Sequence, residues 1–305
     1  MAVYEHSYRP FGGELTPEWS RFLIIPRHAF RSVFQSKLFT GFFVICMLYP
    51  LVAAILIYLH HNTQALGIFQ VQVADLLPID ATFFFYYMFV QGQFAFYLNL
   101  LVGPPLISRD VANNALPLYL ARPFTQSEYV IGKMSILFIL LSLITWIPGL
   151  LLFFFQAYLE GAGWFTSNLH VAGAIFIGSW IWIFLLALLS LSISAWVKWR
   201  LAASAALFAL FFIPSIFGVI INELFRTRIG NLVNLSYLIQ AVWQGLFGTF
   251  DRNPRDIRVR AGGGRITALT LYDPPLWSSW LMLGLICVGC LFLLYRKVRA
   301  YEVVK

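Results

Sequence analysis

Six stretches of the chain, 38–59, 81–107, 134–159, 171–197, 201–222 and 276–295, contain no Asp, Glu, Lys, Arg or His. Each reaches the roughly 20 residues that an α-helix needs to cross the hydrocarbon core of a bilayer. Backbone N–H and C=O groups in lipid must be paired within the chain. These runs are therefore expected as helices despite their many aromatic and β-branched residues. Composition agrees, since only 11% of residues are charged, against about 25% in soluble domains. The fold expected is an all-α integral membrane protein with six transmembrane helices over 38–295, behind an N-terminal segment 1–37 and before a short tail 296–305.

The first 37 residues include Glu5, Glu14 and Glu18. They lack the order of a cleavable leader, so the first run is expected to stay as an anchor. Within them, 17–37 alternates apolar Trp19, Phe22, Leu23, Phe30, Val33 and Phe34 with polar Arg21, Arg27, Arg31 and Gln35. Thr16 can cap it, Pro17 can open it, and Pro26 should kink it. This predicts an amphipathic helix on the membrane surface, its arginines among lipid headgroups.

Orientation follows from Lys and Arg in the connections. With the N-terminus in the cytoplasm, 14 of them fall inside, and the outer loops 60–80 and 160–170 hold none. Segment 223–275 carries the other seven arginines, and its stretch 230–250 is long enough to cross. There, however, Leu232, Leu235, Ile239, Val242 and Leu246 share one helical face, and Asn231, Asn234, Gln240 and Gln244 share the other. That pattern predicts an amphipathic, re-entrant helical segment between spans five and six rather than a seventh span. Both termini are then cytoplasmic, and the protein is expected as a multi-pass protein of the cytoplasmic (inner) cell membrane.

Between spans two and three, 108–133 is too patterned for a plain connector. Val111, Ala112, Ala115, Leu116 and Leu118–Leu120 can form a short apolar face, ringed by Arg109, Asp110, Arg122, Glu128 and Lys133. An amphipathic element just below the membrane suits the groove of a soluble partner. Asp110 and Glu128 could touch such a partner or pair with basic residues of the loop. The run ISRDVANNALPLYLARPFTQSEYVIGKM, 107–134, resembles the first cytoplasmic loop of ABC-2-type transporter permeases. The match is carried by Ile107, Ser108, Asp110, Leu116, Leu118, Arg122, Pro123, Glu128, Tyr129, Gly132 and Lys133. The resemblance extends to the plan of surface helix, six spans and re-entrant segment.

The resemblance implies the transmembrane (permease) subunit of an ABC exporter. It would dimerise with a second permease copy, identical or a close paralogue, and each copy would bind a separate ATPase subunit. The loop would be a coupling helix, with Arg109, Asp110, Asn113, Asn114, Leu116, Tyr119, Arg122 and Glu128 as partner contacts. ATP and Mg would sit on that ATPase, and this chain would carry no cofactor. The residues agree on one point: Gly132–Lys133 lacks the earlier glycine and the following Ser or Thr of a phosphate loop.

Gln91, Gln93 and Asn99, all on span two, are candidates either to line a pathway or to bond neighbouring helices. Asn222 and Glu223 end span five as a solvated helix end, and Pro148 and Pro214 are expected kinks. His60 and His61 lack further ligands for a metal, and Cys287 and Cys290 read as small apolar residues on one helix face. No metal site, catalytic set or nucleic-acid partner is expected, and membrane lipids are. The alternative function is an ion-coupled secondary carrier or channel without an ATPase. Against it, the spans hold no ionisable group to couple protons.

Overall fold

The computed structural model describes residues 24–62, 78–115, 125–250, 255–260 and 266–297. Five stretches are helical, long and apolar enough to cross a membrane: Lys37–His61, Gln126–Glu160, Leu169–Trp196, Arg200–Phe225 and Leu276–Lys297. In chain order the helices are α1 (Ile24–Phe34), α2 (Lys37–His61), α3 (Ala81–Val102), α4 (Pro105–Ala112), α5 (Gln126–Ile144) and α6 (Trp146–Glu160). They continue with α7 (Ala162–Ser167), α8 (Leu169–Trp196), α9 (Arg200–Phe225), α10 (Leu235–Leu246) and α11 (Leu276–Lys297). A 3-10 turn, Ile229–Val233, precedes α10. The strands β1 (Arg255–Arg260) and β2 (Ile266–Leu271) form an antiparallel hairpin with Arg255 opposite Leu271. The hairpin follows the 230–250 stretch expected as an amphipathic helix, within which Leu235–Leu246 is helical.

Helix α8 is the central pillar. It packs against α3, α4, α5, α6, α9, α10 and α11, and 72% of its apolar window is buried, against 17% for α9. Small residues permit this: Ser179, Ser190, Ser192 and Ser194 are all buried on it, and small side chains let helix backbones approach. Helices α2, α9 and α11 turn most of their apolar surface outward.

Three expected boundaries shift. The run 81–107 is not one helix. Gly103 and Pro104 break it, and 105–107 opens α4. The run 134–159 starts earlier, at Gln126, because Lys133 is buried inside α5. It is also broken at Thr145, three residues before Pro148. Pro50 and Pro214 stay inside α2 and α9. Of the 17–37 stretch expected as a surface helix, Ile24–Phe34 is helical as α1, packed on α5 and α2. Ile25, Ala29, Phe30 and Val33 face the core, and Arg27 and Arg31 are exposed. Thr16, Pro17, Glu18, Trp19, Arg21, Phe22 and Leu23 lie outside the described residues.

Helix α10 is tucked into the bundle against α11, α8 and α9. Its apolar face buries Leu235, Leu238, Ile239, Val242 and Trp243. Trp243 reaches the middle of α3 and α8: its Nε1–H donates to the Gly178 carbonyl at 3.0 Å, and Trp182 Nε1–H donates to the Gly92 carbonyl at 3.0 Å. Gly92 makes room for the ring, since a Cβ there would lie 2.4 Å from Trp243 Cη2. Gly92→Ala is therefore expected to cost about 1–3 kcal/mol by overpacking. Thermal unfolding in detergent measures this, and an unchanged midpoint would show that the ring is not seated on Gly92.

At the start of α10, Asn222 accepts from Gly230 N–H at 2.8 Å and donates to Asn231 Oδ1 at 2.8 Å. Asn231 and Arg228 both reach the Asp273 carboxylate. Asn222 thus pins the return of the chain rather than simply ending α9 in solvent. The exposed Glu223, at 3.8 Å from Arg226, does match a solvated end.

Candidate functional site

The ends of α3, α5 and α8 converge on the short helix α4, and its first turn explains why. Pro104 precedes it and offers no side-chain cap. The first N–H groups of a helix need acceptors from elsewhere. Ser194 of α8 supplies one: its Oγ accepts from Ile107 N–H at 3.2 Å and Ser108 N–H at 2.7 Å, and donates to the Pro104 carbonyl. Leu106, Ile107 and Ser108 are buried against the bundle, so α4 is bolted to the pillar.

The other end of α4 stops by a glycine-free version of a common device. Asn114 takes φ +52°, a left-handed conformation that asparagine tolerates. Ala115 N–H bonds the Asp110 carbonyl at 2.8 Å and Asn114 N–H bonds the Val111 carbonyl at 3.4 Å, which closes a Schellman motif. The Asn113–Asn114 pair is the sequence signal for this stop.

Asp110 ties the loop's two ends together. Its carboxylate accepts from the Tyr129 hydroxyl at 2.7 Å and lies 2.8 Å from Lys133 Nζ. The Asp110 and Lys133 side chains are 16% and 9% exposed, so the pair is largely out of solvent. Glu128 is used within the chain as well. It accepts from Thr125 N–H at 2.7 Å while Thr125 Oγ1 accepts from Glu128 N–H at 3.2 Å, a capping box that starts α5. The spacing T-x-x-E at 125–128 signals it.

Of the residues expected to touch a partner, Arg109, Asn113 and Asn114 are exposed. Asp110 and Glu128 hold the loop's frame. Leu116, Tyr119 and Arg122 lie outside the described residues, as do Leu118 and Pro123.

The three amides of α3 part ways. Gln91 and Asn99 have no exposed surface. Gln91 Nε2 donates to the Cys46 carbonyl at 3.0 Å and to the Ile144 carbonyl. Asn99 accepts from Ser190 Oγ at 2.9 Å and donates to the Leu186 carbonyl at 3.4 Å. Both join helices. Gln93 is exposed and lines a small cavity of about 50 Å³ with Phe96, Trp182, Phe211, Gln240 and Trp243.

Cys287 and Cys290 are free thiols on α11. No group of three or more His, Cys, Asp or Glu suited to a metal occurs among the described residues. His61 meets Glu160 at 2.7 Å, joining the ends of α2 and α6 away from the loop. Compared with models of known protein families and with curated proteins, the chain matches none.

Proposed function

We propose that the chain is the permease subunit of an ABC exporter, working as a dimer and coupled through the 108–133 loop to a separate ATPase subunit. The observation that carries this reading is the clamp of Asp110, Tyr129 and Lys133. Of the residues that carry the resemblance, those around Ile107–Asp110 and those around Glu128–Lys133 are described, while Leu116, Leu118, Arg122 and Pro123 are not. The two described pieces meet at one carboxylate, and the clamp closes the base of the loop. An element that must receive a push from a soluble partner needs such a stiff base. Ser194 links α4 onward to α8, which touches most of the other helices.

In this reading Ala81–Val102 is the sixth span. Its amides keep its hydropathy down, yet Gln91 and Asn99 are buried and bonded, as polar groups inside a membrane bundle must be. Helix α10 is re-entrant: it holds 12 residues, too few to cross, and its Trp243 reaches the bundle's middle. The end with Arg27, Arg31, Lys37, Arg109, Lys133, Lys198, Arg200, Arg296 and Lys297 is cytoplasmic by the positive-inside rule. A second copy would pack on the outward faces of α2 and α9. ATP and Mg belong to the partner ATPase.

The test is purification of the tagged chain from its native membrane in mild detergent, with bound proteins identified by mass. The expected result is a stoichiometric ATPase carrying a phosphate loop. A well-folded, abundant chain without one would overturn the exporter reading and favour a self-sufficient carrier or channel.

A further inference from the structure

A groove of about 520 Å³ opens at the loop end of the bundle, between the α1–α2 corner, the α3–α4 corner and the start of α9. Its charged lining is Arg109, Lys133, Arg200 and Asp110. Asp110 is spent on Lys133 and Tyr129. Arg109 and Arg200 have no carboxylate within ion-pair distance among the described residues. Among the described residues the lining therefore carries a net positive charge, with Arg109 and Arg200 in no ion pair. The rest of its wall is largely apolar. Leu38, Leu101 and Leu201 line it, and they are 65%, 39% and 76% exposed. Leu38 opens α2 and Leu201 opens α9, so the apolar wall runs on into the outward faces of two membrane-spanning helices.

A site with guanidinium groups above an apolar wall fits an ion that carries its own hydrocarbon. We propose that this groove binds one anionic phospholipid, its phosphate on Arg109 and Arg200 and an acyl chain along Leu38, Leu101 and Leu201. Guanidinium groups pair with phosphate oxygens in a fork geometry, and basic pockets between membrane helices are suited to anionic headgroups. A free phosphate would use the two arginines and leave the leucine wall uncovered. The lipid would also join α4 to α9, at the place where the loop meets the spans. The inference needs only that the protein is embedded in a membrane. It stands or falls apart from the exporter reading.

The experiment is native mass spectrometry of the full chain in detergent, with phosphatidylglycerol or phosphatidylcholine of the same acyl chains. One phosphatidylglycerol should be retained in preference. R109Q/R200Q should weaken it roughly twenty-fivefold, from about fivefold for each basic group. R109K/R200K keeps the charge and loses the fork, so its retention should fall between that of the unchanged chain and that of R109Q/R200Q, and retention no better than R109Q/R200Q would overturn the role of charge at the site. Equal retention of the two lipids, or unchanged phosphatidylglycerol binding in R109Q/R200Q, would overturn the proposal. Displacement of the lipid by equimolar inorganic phosphate would also overturn it, assigning the site to a soluble anion. Should R109Q/R200Q fail to fold, Leu101→Trp narrows the apolar wall without touching a charge. It is expected to reduce phosphatidylglycerol retention, and full retention would overturn the proposal.

Discussion

Gln91→Leu is expected to lower the stability of the folded chain by about 2–4 kcal/mol, although it makes α3 more apolar. Proline has no N–H, so it leaves the carbonyl four residues earlier without its helical donor. Pro50 does this to Cys46 in α2, and Pro148 does it to Ile144 at the break between α5 and α6. Those are the two carbonyls to which Gln91 donates. One side-chain amide has two hydrogens to give, and here it serves both orphans. Leucine would leave two buried acceptors unpaired at about 1–3 kcal/mol each, while polar contacts in membrane bundles set the lower end of the range. The check is a double-mutant cycle in detergent. In a Pro50→Ala background a backbone N–H can reach Cys46, and Gln91→Leu should cost about 1 kcal/mol less. An equal cost in both backgrounds would sink the proline account.

That link shows where sequence reasoning stops. A charge-free run ends where Lys or Arg begins, so α2, α8, α9 and α11 fall within about three residues of their expected bounds. The amides of α3 stand out as polar, but their partners do not, because Gln91 bonds residues 45 and 53 positions away. Periodicity carries no information over such spans. The same limit hid Trp243. The amphipathic pattern over 230–250 marks Ile239 and Val242 as apolar, and nothing local says that an indole will lie on Gly92 of another helix. Lys133 misled in the other direction. A charge within an apolar stretch reads as a boundary, and here it is buried because Asp110 neutralises it. The local devices were legible in principle: T-x-x-E at the start of α5 and Asn–Asn after α4 each encode a cap within four residues. The hairpin had a cue as well: β1 is written RDIRVR, and Gly262, Gly263 and Gly264 stand between it and ITALTL, a run that offers the Gly-Gly turn dipeptide of hairpins. The arginines of β1 masked it by reading as a basic insert.

Asp110→Ala is expected to destabilise the chain by about 3–5 kcal/mol, the usual cost of stranding one member of a buried ion pair. It removes the carboxylate that Lys133 Nζ and the Tyr129 hydroxyl share. Lys133→Ala should cost a comparable amount. Replacing both by apolar residues of similar size, Asp110→Leu with Lys133→Met, should recover most of the loss, because no charge is then left buried. Unfolding midpoints of the two single variants and the double measure this. A double variant no better than Asp110→Ala would mean that the pair contributes position and not charge balance. The same experiment bears on coupling. Charge reversal at Asp110 or Glu128 would disturb the frame of the loop as well as any docking face, so loss of a partner there has two causes. Arg109, Asn113 and Asn114 are exposed; of these, Asn113 separates the causes, since Asn114 also holds the left-handed stop of α4 and Arg109 also lines the groove at the α3–α4 corner. Asn113→Lys should leave the unfolding midpoint within about 0.5 kcal/mol, as surface changes do, yet weaken retention of the ATPase in the pull-down. If it leaves retention untouched while Asp110→Leu with Lys133→Met abolishes it in a stable chain, the loop acts through its rigidity, and its docking face lies beyond Ala115.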